Sequence, residues 1–389
     1  MWQKDFIVDI KIMQLRVAVL NITGGGVSGG HRKYLVNMLP RLAAIPHIEA
    51  ILVASPAVMK APDWIPSDPK IQHSICKPFR PFLHYPDATL YADLERFVPD
   101  IVFVPIERYV KFKNVPTVVM VQNMAPFAGV ETGDGLREKL VSLLRNRESR
   151  IALAKAEAVI APTETVRGFL IENKLVVAEK IVAIPYGYNP VNSFKRPAFP
   201  ADFSGSDFVF TAGSIEKYRG LEDLIHVLPL IRESFPGLKL VIAGSARPET
   251  VNYLDLLKGE AERLRVSKDI FWLGNISQEE LAWCYANCSV FTATSRIESF
   301  CFVALEALAS SCNCVSATSP CLPEIFSDAA IYYTPSDLTS LADALRLVLR
   351  RTPEERVEAG RVALARASSF SWDTTVNKTV EIFKSVMRS

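Results

Sequence analysis

Residues 290–310 read VFTATSRIESFCFVALEALAS. Val290 to Ala293 is a short apolar run, Thr294 to Ser299 is polar, and from Phe300 onward the chain is mostly small or apolar and helix-forming, so the segment predicts strand, loop and helix. Working outward, the same unit recurs. Toward the N-terminus strands are predicted at Phe208 to Ala212, Leu240 to Ala243 and Ile270 to Leu273, and toward the C-terminus at Asn313 to Ser316. The first half repeats the alternation, with strands at Arg16 to Leu20, Ala50 to Ala54, Ile101 to Pro105, Thr117 to Gln122, Ala158 to Ala161 and Ile181 to Ile184. Helical period separates them at about 30–44, 87–97, 135–155 and 164–173. Apolar runs alternating with helices imply parallel sheets covered on both faces.

The chain has 389 residues, 49% hydrophobic and 22% charged. At roughly 150 residues per domain this predicts two folded domains and excludes a single small binding module. The Pro-, Gly- and Asn-rich stretch IPYGYNPVNSFKRPAFP interrupts the pattern. It sets the expected boundaries: a first domain over 1–190, a linker over 191–206, a second domain over 207–370 and a terminal helix over 371–389 returning to the first domain. No repeat of 20 to 50 residues recurs, so the halves are alike in architecture and not in sequence. Two doubly wound domains would place the carboxyl ends of both sheets, where ligands bind, on a shared cleft. Ser277 with Glu280, and Thr352 with Glu355 and Pro353 between, are capping boxes that mark two helix starts.

The chemistry concentrates in residues 290–310. Glu298 falls in the loop, whereas Glu306 falls inside a helix of small and apolar residues, where an unpaired carboxylate is costly without a partner. Between them the N–H groups of Phe300 and Cys301 stand at the predicted helix start, suited to a diphosphate by dipole and by free donors. One carboxylate on each side of an anion site matches a sugar–diphosphate–ribose ligand. The loop TGGGVSGG at 23–30 follows the first strand and opens a helix, and Gly24, Gly26 and Gly29 satisfy a dinucleotide fingerprint. The next strand ends Leu52-Val53-Ala54-Ser55 without the acidic residue that a nicotinamide cofactor's ribose needs. A dehydrogenase is therefore disfavoured, and the loop, with Gly25 and Gly26 at its centre, is read as facing a phosphate or the reacting sugar.

With those residues in place, nearly the whole chain resembles the retaining GT-B glycosyltransferases, in particular the GT4 family with its E-x7-E segment. The resemblance rests also on Phe210-Thr-Ala-Gly213-Ser-Ile-Glu-Lys217-Tyr-Arg219-Gly220, on Leu240-Val-Ile-Ala-Gly244, on Leu273-Gly-Asn-Ile-Ser277 and on the ending Ser371-Trp372-Asp. It implies a GT-B fold of two Rossmann-like domains facing across a cleft. It also implies that Glu306 holds the ribose, that Glu298 holds the donor sugar, and that the backbone of Ser299, Phe300 and Cys301 lies near sugar and phosphate. Beside Gly213, the family's two diphosphate cations fall here on Ser214 and Arg219, with Lys217 as the substitute for the missing one. Where the family often has a His after the fourth strand, this chain has Gln122 and Asn123, which do not titrate near neutral pH.

The implied activity is hexosyl transfer from a nucleotide-diphosphate sugar to a glycan or lipid-linked acceptor, as in polysaccharide biosynthesis. A sugar-nucleotide epimerase and a non-catalytic nucleotide-sugar-binding protein are the competing readings. No Asp-x-Asp occurs in the chain, so neither metal nor other cofactor is expected. Seven cysteines, odd in number and six of them in one half, argue against a secreted disulfide framework, and no ligand spacing suggests zinc. No window of 18 apolar residues occurs, and Lys4, Asp5, Asp9 and Lys11 break the N-terminal segment, so a cytoplasmic protein is expected. Residues 1–190 carry net +5 and the remainder −3, too mild for a nucleic-acid partner. A local excess lies over 137–155, where Arg137, Lys139, Arg145, Arg147, Arg150 and Lys155 meet only Glu138 and Glu148. That stretch is the candidate for peripheral contact with an anionic membrane surface.

Overall fold

The computed structural model describes residues 14–23, 29–80, 87–128, 136–190, 193–199, 203 and 207–387. Its strands form two sheets, both doubly wound. The first contains β1 (Leu15–Leu20), β2 (Ile48–Pro56), β3 (Ile71–Cys76), β4 (Ile101–Val104), β5 (Thr117–Met120), β6 (Ala158–Ala161) and β7 (Ile181–Ala183), in the order β3-β2-β1-β4-β5-β6-β7. The second contains β8 (Phe208–Ala212), β9 (Lys239–Ala243), β10 (Ile270–Gly274), β11 (Val290–Ala293), β12 (Cys314–Ala317) and β13 (Ala330–Tyr333), in the order β10-β9-β8-β11-β12-β13. Every pairing in the second sheet is parallel. Winding reverses between β1 and β4 in one sheet and between β8 and β11 in the other, and ligands of such sheets bind beyond the strand ends at these points.

Eleven strands lie where predicted, the edge strands β7 and β10 among them, and β4, β5, β6, β8 and β11 are buried at every residue because both faces are covered. Two strands were not predicted. β3 (IQHSIC) and β13 (AIYY) lie at sheet edges, where β3 keeps Gln72, His73 and Ile75 exposed and β13 is only half covered. Without burial on both faces neither needs the continuous apolar run that revealed the others.

Contacts within the chain gather into two compact units. One comprises Met1–Met120, Ile151–Val159 and Val376–Ser389, and the other Val121–Arg150 and Ile160–Thr375. In the first, Phe383 of the helix Trp372–Val386 is fully buried with its ring 5.4 Å from that of Phe103. In the second, Phe199 stacks on Phe203 at 3.9 Å, and Phe203 meets Phe208 and Phe271 edge-on at 5.7 and 5.1 Å. Burial of an aromatic ring stabilises by about 2 kcal/mol, so Phe203 is anchored firmly to the second sheet.

Both capping boxes form. Ser277 Oγ accepts from Glu280 N–H at 3.2 Å and Thr352 Oγ1 accepts from Glu355 N–H at 3.2 Å, each returned by the glutamate. They start the helices Gln278–Asn287 and Pro353–Ser368.

Candidate active site

The site grows from the switch point of the second sheet. After β8 the chain turns at Gly213 (φ +130°), whose N–H donates to Ala243 at 2.9 Å. Gly244 (φ +137°) follows β9, and a Cβ there would fall 1.8 Å from the Gly213 carbonyl oxygen. Only glycine permits that approach. A Cβ on Gly213 would sit 3.0 Å from Arg219 Cζ, so the glycine also leaves room for the guanidinium to fold back over its own turn. A short 3₁₀ turn, Lys217–Arg219, then leads into the helix Leu221–Ile231.

The loop after β11 is stitched to that turn. Thr294 Oγ1 donates to the Arg219 carbonyl at 2.6 Å, and Arg296 N–H donates to the Tyr218 carbonyl at 2.6 Å. Arg296 also grips Asp223 with two N–H donors at 2.6 and 2.7 Å, and Tyr333 of β13 donates to the same buried carboxylate at 3.3 Å. Held in this way, Glu298 Oε1 accepts from Arg219 Nη1 at 2.7 Å and from Ser295 Oγ at 2.9 Å. Side-chain exposure is only 16% for Arg219 and 11% for Glu298, which makes this a buried ion pair. Burial alone would lower the affinity of the guanidinium for its proton, but the Glu298 carboxylate outweighs it and keeps Arg219 charged. Arg219 Nε is buried without a hydrogen-bond partner, which carries a desolvation cost.

The helix Phe302–Ala309 begins one residue after Cys301, which adopts a left-handed φ of +69°. Glu306 is half-buried on it, and its Oε2 accepts from the Tyr285 hydroxyl at 3.1 Å. Burial pushes the Tyr285 phenol well above its ordinary pKa, so it stays a proton donor. Burial, with Glu298 nearby, pushes the Cys301 thiol up to about 12. Ser299 Oγ donates to the Gln122 carbonyl at 2.7 Å, and Thr163 Oγ1 donates to the Ser299 carbonyl at 3.1 Å. The Phe300 ring is core, 4.6 Å from Tyr186.

The structure thus brings Arg219, Glu298, Ser299, Phe300, Cys301 and Gly213 into one constellation, with Glu306 on the adjoining helix. Ser214 neighbours the Tyr218 phenol, whose pKa burial raises, and Lys217 is exposed at the start of the 3₁₀ turn that ends in Arg219. Asn123 Oδ1 accepts from Ala125 N–H at 2.9 Å, a local turn contact, and Gln122 enters through its carbonyl. Gly25 and Gly26 lie outside the described residues. Sequence reasoning missed Ser295, Arg296, Asp223 and Tyr285. The Asp223–Arg296 pair joins residues 73 apart with no local pattern to announce it. Among the described residues no group of three or more His, Cys, Asp or Glu side chains is placed to hold a metal ion, and no helix is long and apolar enough to cross a membrane.

Residues 195–363 match the family model described as glycosyl transferases group 1. The glycogen synthase of Mycobacterium tuberculosis (strain ATCC 25618 / H37Rv) is 29% identical over 180 residues, which are 45% of this chain and 42% of that protein. The chain therefore spans less than half the length of this relative. Sucrose-phosphate synthase from Thermosynechococcus elongatus superposes with a TM-score of 0.77 at 17% identity, covering 96% of this chain and 100% of that one. Anabaena Alr3699/HepE in complex with UDP-glucose gives 0.69 at 18% identity, covering 96% and 100%. The fold is that of the GT-B glycosyltransferases, two parallel-sheet α/β domains. Family model and relatives together support a place for the chain among the glycosyl transferases of group 1.

Proposed function

We propose that the protein is a retaining, metal-independent glycosyltransferase of the GT4 kind, moving a sugar from a nucleoside-diphosphate sugar to a glycan or lipid-linked acceptor. The observation that carries this reading is the buried Arg219–Glu298 pair at the β8/β11 switch point, beside the start of the helix that bears Glu306. Expelling a nucleoside diphosphate builds negative charge on the leaving oxygen, and a preorganised cation in a poorly solvated site stabilises it strongly. Arg219 supplies that charge, and Glu298 both aims it and offers a carboxylate to sugar hydroxyls. Glu306, aligned by Tyr285, is suited to the two ribose hydroxyls, and the N–H groups at 300–302 are suited to the diphosphate. Neither Gln122 nor Asn123 is a base, so the acceptor proton passes to the leaving phosphate itself in a front-face displacement. The UDP-glucose bound to the Anabaena neighbour supports a nucleotide sugar as donor.

Incubation with UDP-, GDP- or ADP-sugars, alone and with acceptor, tests the reading. Transfer product that survives EDTA is expected; an epimer from donor alone, or binding without turnover, would replace it with one of the competing readings. Thermal-shift screening identifies the donor beforehand, since ligand at 100 times its dissociation constant adds about 2.7 kcal/mol of stability.

For the acceptor, the helix Leu136–Lys155 supports a peripheral position on an anionic membrane at its cytoplasmic face. Leu140 and Leu143 are 58% and 68% exposed, and Arg145, Arg147 and Arg150 are exposed on the same helix. Each cation near such a surface contributes about 1 kcal/mol. Sedimentation with vesicles should increase with anionic lipid, weaken with salt and fall when the three arginines become Gln. Equal partitioning to neutral vesicles would remove the membrane from the proposal.

A further inference from the structure

Six of the seven cysteines are buried, and Cys288 alone is partly exposed. It ends the helix Gln278–Asn287, and its sulfur lies 4.0 Å from that of Cys312, just beyond the helix Phe302–Ala309. Both sulfurs are within hydrogen-bonding distance of one acceptor, the Tyr285 carbonyl, at 3.4 and 3.1 Å. The hydroxyl of that tyrosine is the partner of Glu306. Two thiols in contact, one of them on a partly exposed residue, join the ends of the two helices whose side chains align the Glu306 carboxylate. Buried cysteines otherwise behave as small hydrophobes, and Cys284 and Cys314 nearby fit that description.

The geometry points to Cys288 and Cys312 as a modification site: exchange with a small-molecule disulfide closes a bond between them and weakens the site that holds Glu306. The Cys288 thiolate attacks one sulfur of the oxidised compound, forming a mixed disulfide and releasing one thiol. Cys312 then attacks the Cys288 sulfur, and the second thiol leaves. The two protein thiols give up two electrons, the small disulfide is reduced to two thiols, and the two cysteine protons end on them. Accessibility sets the order, because burial raises the Cys312 thiol well above its ordinary value and keeps it protonated until the adduct has brought a leaving group beside it. Closing the bond shortens the sulfur separation from 4.0 Å to about 2.05 Å and removes both S–H groups from the Tyr285 carbonyl. The helix ends must shift, and the Tyr285–Glu306 contact with them. That this weakens nucleotide binding rests on the function proposed above; the site itself does not.

Reduced full-length protein, freed of reductant, is incubated with glutathione disulfide, alkylated and mapped by mass. A peptide linking Cys288 to Cys312 is expected, with loss of two of the seven free thiols. The dissociation constant for UDP, GDP or ADP, whichever the reduced protein binds, should rise about ten-fold, within the usual range of coupling between sites, and dithiothreitol should restore it. Cys288→Ser should abolish both effects. Unlinked cysteines, or a glutathione adduct that persists on Cys288, overturn the site. A linked peptide with unchanged nucleotide affinity overturns its control of the donor site. Reduced protein that binds no nucleotide counts against the proposed function, while the peptide map still decides the site.

Discussion

The two switch points share a topology and differ in chemistry. Beyond β1, Asn21 accepts at Oδ1 from His31 Nε2 at 2.8 Å and donates through Nδ2 to Ser55 Oγ at 3.0 Å, all three residues buried. That is a network of small polar side chains joining the first strand, the second strand and the helix Gly29–Ala44. Beyond β8 the corresponding place holds Arg219, Glu298, Arg296 and Asp223, formal charges with little access to water. A polar network satisfies backbone and side chains at moderate cost, whereas a buried ion pair stabilises little against an apolar replacement and is expensive to break on one side. Among the described residues, the same architecture therefore carries a neutral polar network at one point and buried charge at the other. Fold locates the crevice; residue chemistry decides what the crevice can do.

The contrast breaks most visibly at Arg219. Arg219→Ala should lower turnover by about 10²- to 10³-fold, the usual effect of removing one transition-state donor, and should cost about 3 kcal/mol by stranding Glu298. Arg219→Leu with Glu298→Leu should lose less stability than either single variant, since no lone charge stays buried; urea unfolding of the three reads this directly. Lys217→Ala should reduce turnover less than Arg219→Ala. Equal effects would give the two cations equal roles.

Glu306→Gln tests the neighbouring helix. Nucleotide affinity should fall by about 1 to 3 kcal/mol with the unfolding midpoint preserved, because an amide replaces a charged acceptor of similar shape. Unchanged affinity by calorimetry would take Glu306 out of the ribose role. The smallest effect is expected at the first switch point. Asn21→Ala removes the bonds to His31 and Ser55 and should cost about 1 to 2 kcal/mol of stability while leaving donor affinity alone. A loss of affinity there would erase the distinction between the two points.

Much of this was legible residue by residue. The strands β4, β5, β6, β8 and β11 announced themselves because double burial demands uninterrupted apolar runs, and Ser277 and Thr352 because a capping box closes within one turn. Glu298 and Glu306 stood out because carboxylates are out of place beside an apolar helix. The edge strands β3 and β13 were missed because half-exposed strands carry no such run.

By itself the amino-acid sequence determined the alternation of strand and helix, the glycines that sharp turns need, and which charged residues sit near the crevice. Those follow from interactions that close within a few residues, where periodicity and capping act. Tertiary structure alone decided that Glu298 pairs with Arg219, that Arg296 grips Asp223, that Tyr285 aligns Glu306 and that Cys288 meets Cys312. Each of these contacts joins side chains from different βα units. Their distances are set by the register of parallel strands and the packing of helices on the sheet, which no local pattern encodes.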